Sequence, residues 1–159
     1  MLTYVAGILN HSNVNGDGMR TVVFFSKCSL NCPGCHNKEF QKLETGTKMD
    51  TKEIMDIVIK NNALNDGVTF SGGDPFEQPD AFIECLKHCK ANHINVWVYT
   101  GRTYEQLISN PLWESCLEYI DVLVDGPYIE SLKSETTKYR GSSNQRLLYL
   151  EKGKIKKVH

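Results

Sequence analysis

The sequence predicts an α/β protein, a partial and open βα barrel of about five to six units with a mostly parallel sheet and a C-terminal hairpin. Three observations carry this expectation. Apolar, β-branched runs alternate with segments of helical periodicity. The runs are near-continuous rather than alternating, as strands covered on both faces require. The chain has 159 residues, too few for a closed eight-unit barrel, which takes roughly 200 or more.

The elements follow in order. Residues 21–27 (TVVFFSK) read as a buried strand. Residues 51–61 place Ile54, Ile57 and Val58 at helical spacing, with Asp50 or Thr51 as N-cap and Glu53 in the first turn. Residues 67–70 (GVTF) form a short strand ended by Gly72-Gly73. Residues 79–91 form an amphipathic helix, with Phe82, Cys85, Leu86 and Cys89 on one face and Pro79 in the first turn. Residues 94–99 (INVWVY) are a strand ended by Thr100-Gly101. Thr103 to Ser109 and Leu112 to Leu117 are helical pieces separated by Pro111. Residues 119–124 (YIDVLV) are a strand ended by Asp125-Gly126-Pro127. Residues 146–158 form a hairpin turning near Lys152-Gly153. No repeat or linker divides the chain, so residues 1–159 are expected to be one domain.

Composition narrows the function. Hydrophobic residues make up 40% and charged residues 23%, ordinary for a globular protein and against disorder. The 18 basic and 19 acidic residues leave a net charge of −1, which favours neither nucleic acid nor an anionic membrane as a partner. No apolar run reaches the roughly 18 residues a membrane span needs. The first residues lack the pattern of a secretory signal, so a cytoplasmic location is expected.

Six cysteines are present, and three of them crowd together as Cys28-x3-Cys32-x2-Cys35. In a reducing compartment such a cluster reads as metal-binding or redox-active. Three thiolates on one loop can hold three corners of an iron–sulfur cube, leaving one iron for a ligand from outside the protein. Pro33 and Gly34 suit a tightly wrapped loop. The spacing alone leaves a second reading open, a structural zinc site completed by His36 or a remote cysteine. Cys85, Cys89 and Cys116 sit among apolar residues at helical spacing and read as core.

The special residues fall at strand ends: Cys28, Gly72-Gly73-Asp74, Thr100-Gly101 and Asp125-Gly126. In parallel α/β architectures the carboxyl ends of strands line the ligand site.

The cysteine spacing between an early strand and a Gly-Gly-acid strand end resembles the radical S-adenosylmethionine (SAM) superfamily. The ordered blocks NVNGDGMRTVVFFSKCSLNCPGCHN (13–37), FSGGDPF (70–76), WVYTG (97–101), VDGPY (124–128) and YRGSSNQR (139–146) resemble one branch of it. That branch is the family of activating proteins of anaerobic (class III) ribonucleoside-triphosphate reductases. The resemblance implies that Cys28, Cys32 and Cys35 hold a [4Fe–4S] cluster and act in catalysis through it. It implies that SAM binds the open iron and is cleaved by one electron to a 5′-deoxyadenosyl radical. That radical takes a hydrogen from a glycine of the reductase, leaving a glycyl radical on the partner. A low-potential electron donor such as a flavodoxin-type protein is expected, though the sequence does not name it.

The resemblance also assigns cofactor contacts. Gly72 and Gly73 bring backbone carbonyls to the SAM ammonium, and Asp74 adds a carboxylate. Gly34, Cys35 and His36 meet the adenine through their backbones. Asp125, a carboxylate at a strand end with little structural use unless it caps something, is expected to line the SAM cleft; the alternative is a plain turn. Asn15 to Arg20 matches the family's Asn-Gly-Pro-Gly-x-Arg segment with Asp17 in place of proline, and is expected to help receive the partner's glycine loop. Arg140 to Gln145 is expected to dock that loop through its hydrogen-bonding side chains.

Two other functions fit parts of the pattern. One is a radical SAM enzyme for a small molecule, though such an enzyme needs further loops to enclose its substrate. The other is a non-catalytic zinc- or cluster-binding interaction protein, for which the Gly-Gly-Asp strand end has no use.

Overall fold

In a computed structural model, the structure describes residues 1–27 and 46–159. The described chain forms one eight-stranded sheet, open at both edges, with four α-helices. The strands are β1 (Leu2–Ser12), β2 (Arg20–Phe25), β3 (Thr47–Asp50), β4 (Gly67–Gly72), β5 (Val96–Tyr99), β6 (Val122–Asp125), β7 (Arg146–Glu151) and β8 (Lys154–Val158). The helices are α1 (Thr51–Asn61), α2 (Pro79–Ala91), α3 (Tyr104–Ile108) and α4 (Pro111–Leu117). Strand order is β3-β1-β2-β4-β5-β6-β7-β8.

The expectation of a mostly parallel sheet is corrected. Only β2–β4, β4–β5 and β5–β6 pair in parallel; the four other pairings are antiparallel. Three parallel crossovers therefore replace the expected five to six units. Two flanking strands escaped the sequence reading. In β1, Thr3 and Val5 are buried while Leu2 and Leu9 are exposed, so apolarity does not follow burial and periodicity gives no signal. Strand β3 is only four residues of polar and charged sequence, defined by its pairing with β1. The C-terminal hairpin is as expected, turning at Lys152-Gly153.

Local signals fix the helices. Asp50 caps α1 by accepting from Lys52 N at 2.9 Å. Pro79 and Pro111 open α2 and α4, where a missing N–H costs no helical bond. Thr103 and Gln106 form a reciprocal capping box on α3. The helices pack one face of the sheet, where Val23, Phe25, Val68, Phe70, Val98 and Leu123 meet Ile54, Val58, Leu86 and Leu117. Phe82 of α2 makes edge contacts with Phe25, Phe70 and Phe76 at centroid distances of 5.9, 5.4 and 5.2 Å. Cys85, Cys89 and Cys116 are fully buried in this core. Burial pushes the Cys85 and Cys116 thiols up to about 12 and Cys89 higher still, so these sulfurs stay protonated.

Alternate residues of the same strands face the other side. There Trp97, Val122, Val124 and Leu147 form a second apolar cluster with Tyr99, Tyr139 and Tyr149.

Candidate functional site

The site is built where β2, β4, β5 and β6 end. Strand β2 runs out through Ser26 to Lys27, which adopts a left-handed φ of 77°. The cysteine motif follows at once. Cys28, Cys32, Gly34, Cys35 and His36 lie outside the described residues.

Beside this exit, Gly72 turns β4 at a φ of 115°. A Cβ at Gly72 would collide with the backbone N and O of Phe25, so only glycine lets the two strand ends meet. Gly73 N then donates to Phe25 O at 2.8 Å, and Asp74 N donates to Lys27 O at 2.9 Å. The Gly72-Gly73-Asp74 turn is thereby docked on the stem from which the cysteine motif departs.

The structure places the Asp74 side chain, expected to offer a carboxylate to a cofactor, within a network of this chain's own groups. Its side chain is fully buried and both oxygens are engaged within the chain. Oδ1 accepts from Phe76 N at 3.0 Å and caps the short 3-10 turn Pro75–Glu77. Oδ2 accepts from Thr100 Oγ1 at 2.9 Å and Gly101 N at 3.0 Å, and lies 3.1 Å from Arg102 Nη1. Burial raises the carboxyl's pKa, while Arg102 and the three hydrogen bonds oppose the rise. Arg102 is itself buried, pairs through Nη2 with Glu77 at 2.8 Å, and stacks 4.6 Å from the Trp113 ring.

Asp125, expected to line the SAM cleft, is also bonded within the chain. It is buried, points to the helix side, and accepts from Tyr104 N at 2.7 Å, the first residue of α3. Its other ties are to Arg146, which also reaches Glu105. The carboxylate holds the Arg146 guanidinium well above its ordinary pKa. Asp125 thus holds the first amide of α3 at the exit of β6.

The block Arg140 to Gln145 spends its polar groups on this chain. Gln145 accepts from Gly141 N and Ser142 N and donates to Gly126 O; Asn144 donates to Pro127 O; Ser142 accepts from Ile129 N. These bonds fold the segment after β6 back on itself.

The segment Asn15 to Arg20 lies at the opposite, amino ends of the strands. Arg20 is 1% exposed. Its guanidinium donates to Asp17 O, Thr69 Oγ1, Val68 O, Asn95 O and Asn95 Oδ1. Cβ atoms at Gly16 and Gly67 would crowd this side chain. Burial lowers the Arg20 pKa to about 10. A cleft of about 670 Å³ opens beside it, lined by Asp17, Asp66, Trp97, Asp121 and Lys156. This cleft is remote from the strand exits that carry the cysteine motif and the Gly-Gly-Asp turn.

Sequence reasoning passed over Arg102 and Gln78. Gln78 exchanges hydrogen bonds with Tyr4 and donates to Ser26 O, holding β1 and the β2 exit to the start of α2. Neither residue belongs to a recognisable spacing.

Among the described residues no group of three or more His, Cys, Asp or Glu side chains is placed to hold a metal. The three described cysteines are sealed in the core. Three thiolates spaced as Cys28, Cys32 and Cys35 suit an iron–sulfur cluster.

A family profile for a 4Fe-4S single cluster domain matches residues 14–148. An anaerobic ribonucleoside-triphosphate reductase-activating protein of Salmonella typhimurium (strain LT2) is 37% identical over 148 residues, covering 86% of this chain and 92% of the relative. The protein of that description from Escherichia coli (strain K12) is 36% identical over the same span, with the same coverage. The one from Enterobacteria phage T4 is 31% identical over 141 residues, covering 84% of this chain and 86% of the relative. With the cluster-domain profile spanning most of the chain and these identities running almost end to end, the chain belongs to the anaerobic ribonucleoside-triphosphate reductase-activating protein family.

Proposed function

We propose that this chain, as one domain over residues 1–159, is a radical SAM oxidoreductase that activates an anaerobic ribonucleoside-triphosphate reductase by installing a glycyl radical. The observation that carries the reading is the pair of backbone bonds from Gly73 and Asp74 to Phe25 and Lys27. They dock the Gly-Gly-Asp turn on the stem of the three-cysteine motif, so two separately encoded parts of one cofactor site share one strand exit.

In this reading Cys28, Cys32 and Cys35 hold a [4Fe–4S] cluster, and backbone groups of Gly34, Cys35, His36, Gly72 and Gly73 contact SAM. When bound, these cofactors supply the one-electron cleavage and the hydrogen abstraction from glycine. The chain's own residues bind and orient. Asp74 lies toward the SAM ammonium and Asp125 beside the SAM cleft, each also holding the strand exits through its bonds within the chain. The open sheet acts as the partial barrel, its exits left for the reductase to cover. A flavodoxin-type protein supplies the electron, and the reaction takes place in the cytoplasm. Among the described residues no helix is long and apolar enough to cross a membrane.

The test is anaerobic. The chain is loaded with iron and sulfide, reduced with dithionite, given SAM and assayed for 5′-deoxyadenosine. Addition of the reductase should then produce a glycyl radical signal by electron paramagnetic resonance. A loaded cluster that leaves SAM intact with the reductase present would return the chain to a metal-binding interaction domain.

A further inference from the structure

We infer that Arg102 is a positioning residue of the cofactor cleft: its guanidinium joins Asp74 to Glu77 and so holds the exits of β2, β4, β5 and β6 in one arrangement. This deepens the proposed radical chemistry only where SAM binding is the readout.

The argument starts from Asp74. A fully buried carboxylate is tolerated when it is paired and hydrogen-bonded. Asp74 Oδ1 is taken by Phe76 N, and Oδ2 by Thr100 Oγ1 and Gly101 N. The compensating positive charge is Arg102, at 3.1 Å from Oδ2. The same guanidinium reaches Glu77 through its other terminal nitrogen at 2.8 Å. A planar fork can serve two carboxylates at once; a lysine ammonium is a single point charge. Trp113 closes one side of the group, 4.6 Å from the guanidinium carbon, and is itself fixed by donating to Phe76 O.

The backbone extends this hub to every parallel strand. Arg102 N donates to Thr100 Oγ1, and Arg102 O accepts from Gly126 N at 2.9 Å, beyond the end of β6. Thr100 N donates to Val124 O within β6. From Asp74 the chain of bonds runs through Gly73 and Asp74 amides to Phe25 O and Lys27 O. The Arg102 side chain thus ties the exits of β4 and β5 directly, and backbone bonds carry the link on to β6 and to the residue just before Cys28. Removing its charge leaves Asp74 buried without a counter-ion beside the Gly-Gly turn.

The experiment uses the full, cluster-loaded chain and compares Arg102→Gln, Arg102→Lys and Glu77→Gln with the parent. Amide hydrogen exchange is read by residue, and SAM affinity by equilibrium dialysis. In Arg102→Gln the amides of Gly73, Asp74, Gly101 and Gly126 should exchange about tenfold faster, and SAM affinity should weaken about tenfold. The amides of Asp66, Val68 and Asp121, at the amino ends, should not change. Arg102→Lys should recover part of both effects. Equal acceleration at the two ends, or none at the exits, would overturn the assignment. If Arg102→Gln does not fold, Glu77→Gln decides: it keeps the Asp74 pair, and about threefold acceleration at the same four amides is expected, whereas no change refutes the role. If the variants show the exchange pattern but the parent binds no SAM, the radical chemistry is refuted and the positioning role stands.

Discussion

At the amino ends of β2, β4 and β5 the buried charge is a lone cation, Arg20; at their carboxyl ends it is an anion, Asp74, paired with the buried Arg102. Arg20 is satisfied by oxygens that carry no net charge: three backbone carbonyls, a hydroxyl and an amide. Asp74 is satisfied by two backbone amides, a hydroxyl and a guanidinium that carries a second carboxylate with it. The first arrangement is a closed staple with glycines at positions 16 and 67 cleared to admit it. The second is a hub that continues into the stem of the cysteine motif. The difference teaches that a buried charge of either sign can knit parallel strands, but only the carboxyl-end knot is bonded to the stem of the cysteine motif.

The largest expected effect lies at the site end. Cys32→Ala should abolish cluster loading and reduce 5′-deoxyadenosine formation to background, measured as iron content and product after dithionite reduction. Retained cleavage would detach the cysteine motif from the chemistry.

Next is Asp74→Ala, which leaves the Arg102 fork half-paired and the Thr100 and Gly101 donors without their acceptor. Breaking a buried pair by removing one partner costs about 3–5 kcal/mol. Denaturant unfolding should show that loss, and SAM affinity should fall in the molecules that remain folded.

Arg20→Met sharpens the contrast. It leaves the carbonyls of Val68 and Asn95 without their donor, at a cost of about 2–4 kcal/mol. The loss should appear in the unfolding midpoint, while SAM affinity per folded molecule stays at the parent value. A fall in affinity as large as that of Asp74→Ala would erase the distinction between the ends.

The smallest effect is expected at Cys85→Ala, inside the helix-facing core. Loss of a buried thiol should cost about 1 kcal/mol and leave iron content unchanged. Iron lost with Cys85 would show that this sulfur is a ligand after all.

Sequence alone determined whatever is written in short spacings. The helix faces of Ile54 and Val58 and of Phe82 to Cys89, the capping carboxylate Asp50, the apolar runs of the central strands and the three-cysteine motif are all written within a few residues. Only the tertiary structure decided the antiparallel flanks, because β1 and β3 are made strands by their partners and not by their own apolar pattern. It alone decided that Asp74 and Asp125 are occupied. Their partners Thr100 and Arg146 lie 26 and 21 residues away, and Arg20 reaches Asn95 across 75. A carboxylate at a strand end looks the same in sequence whether it faces a ligand or an arginine. The choice is made by which distant side chain the packed sheet brings to it, and no local spacing encodes that.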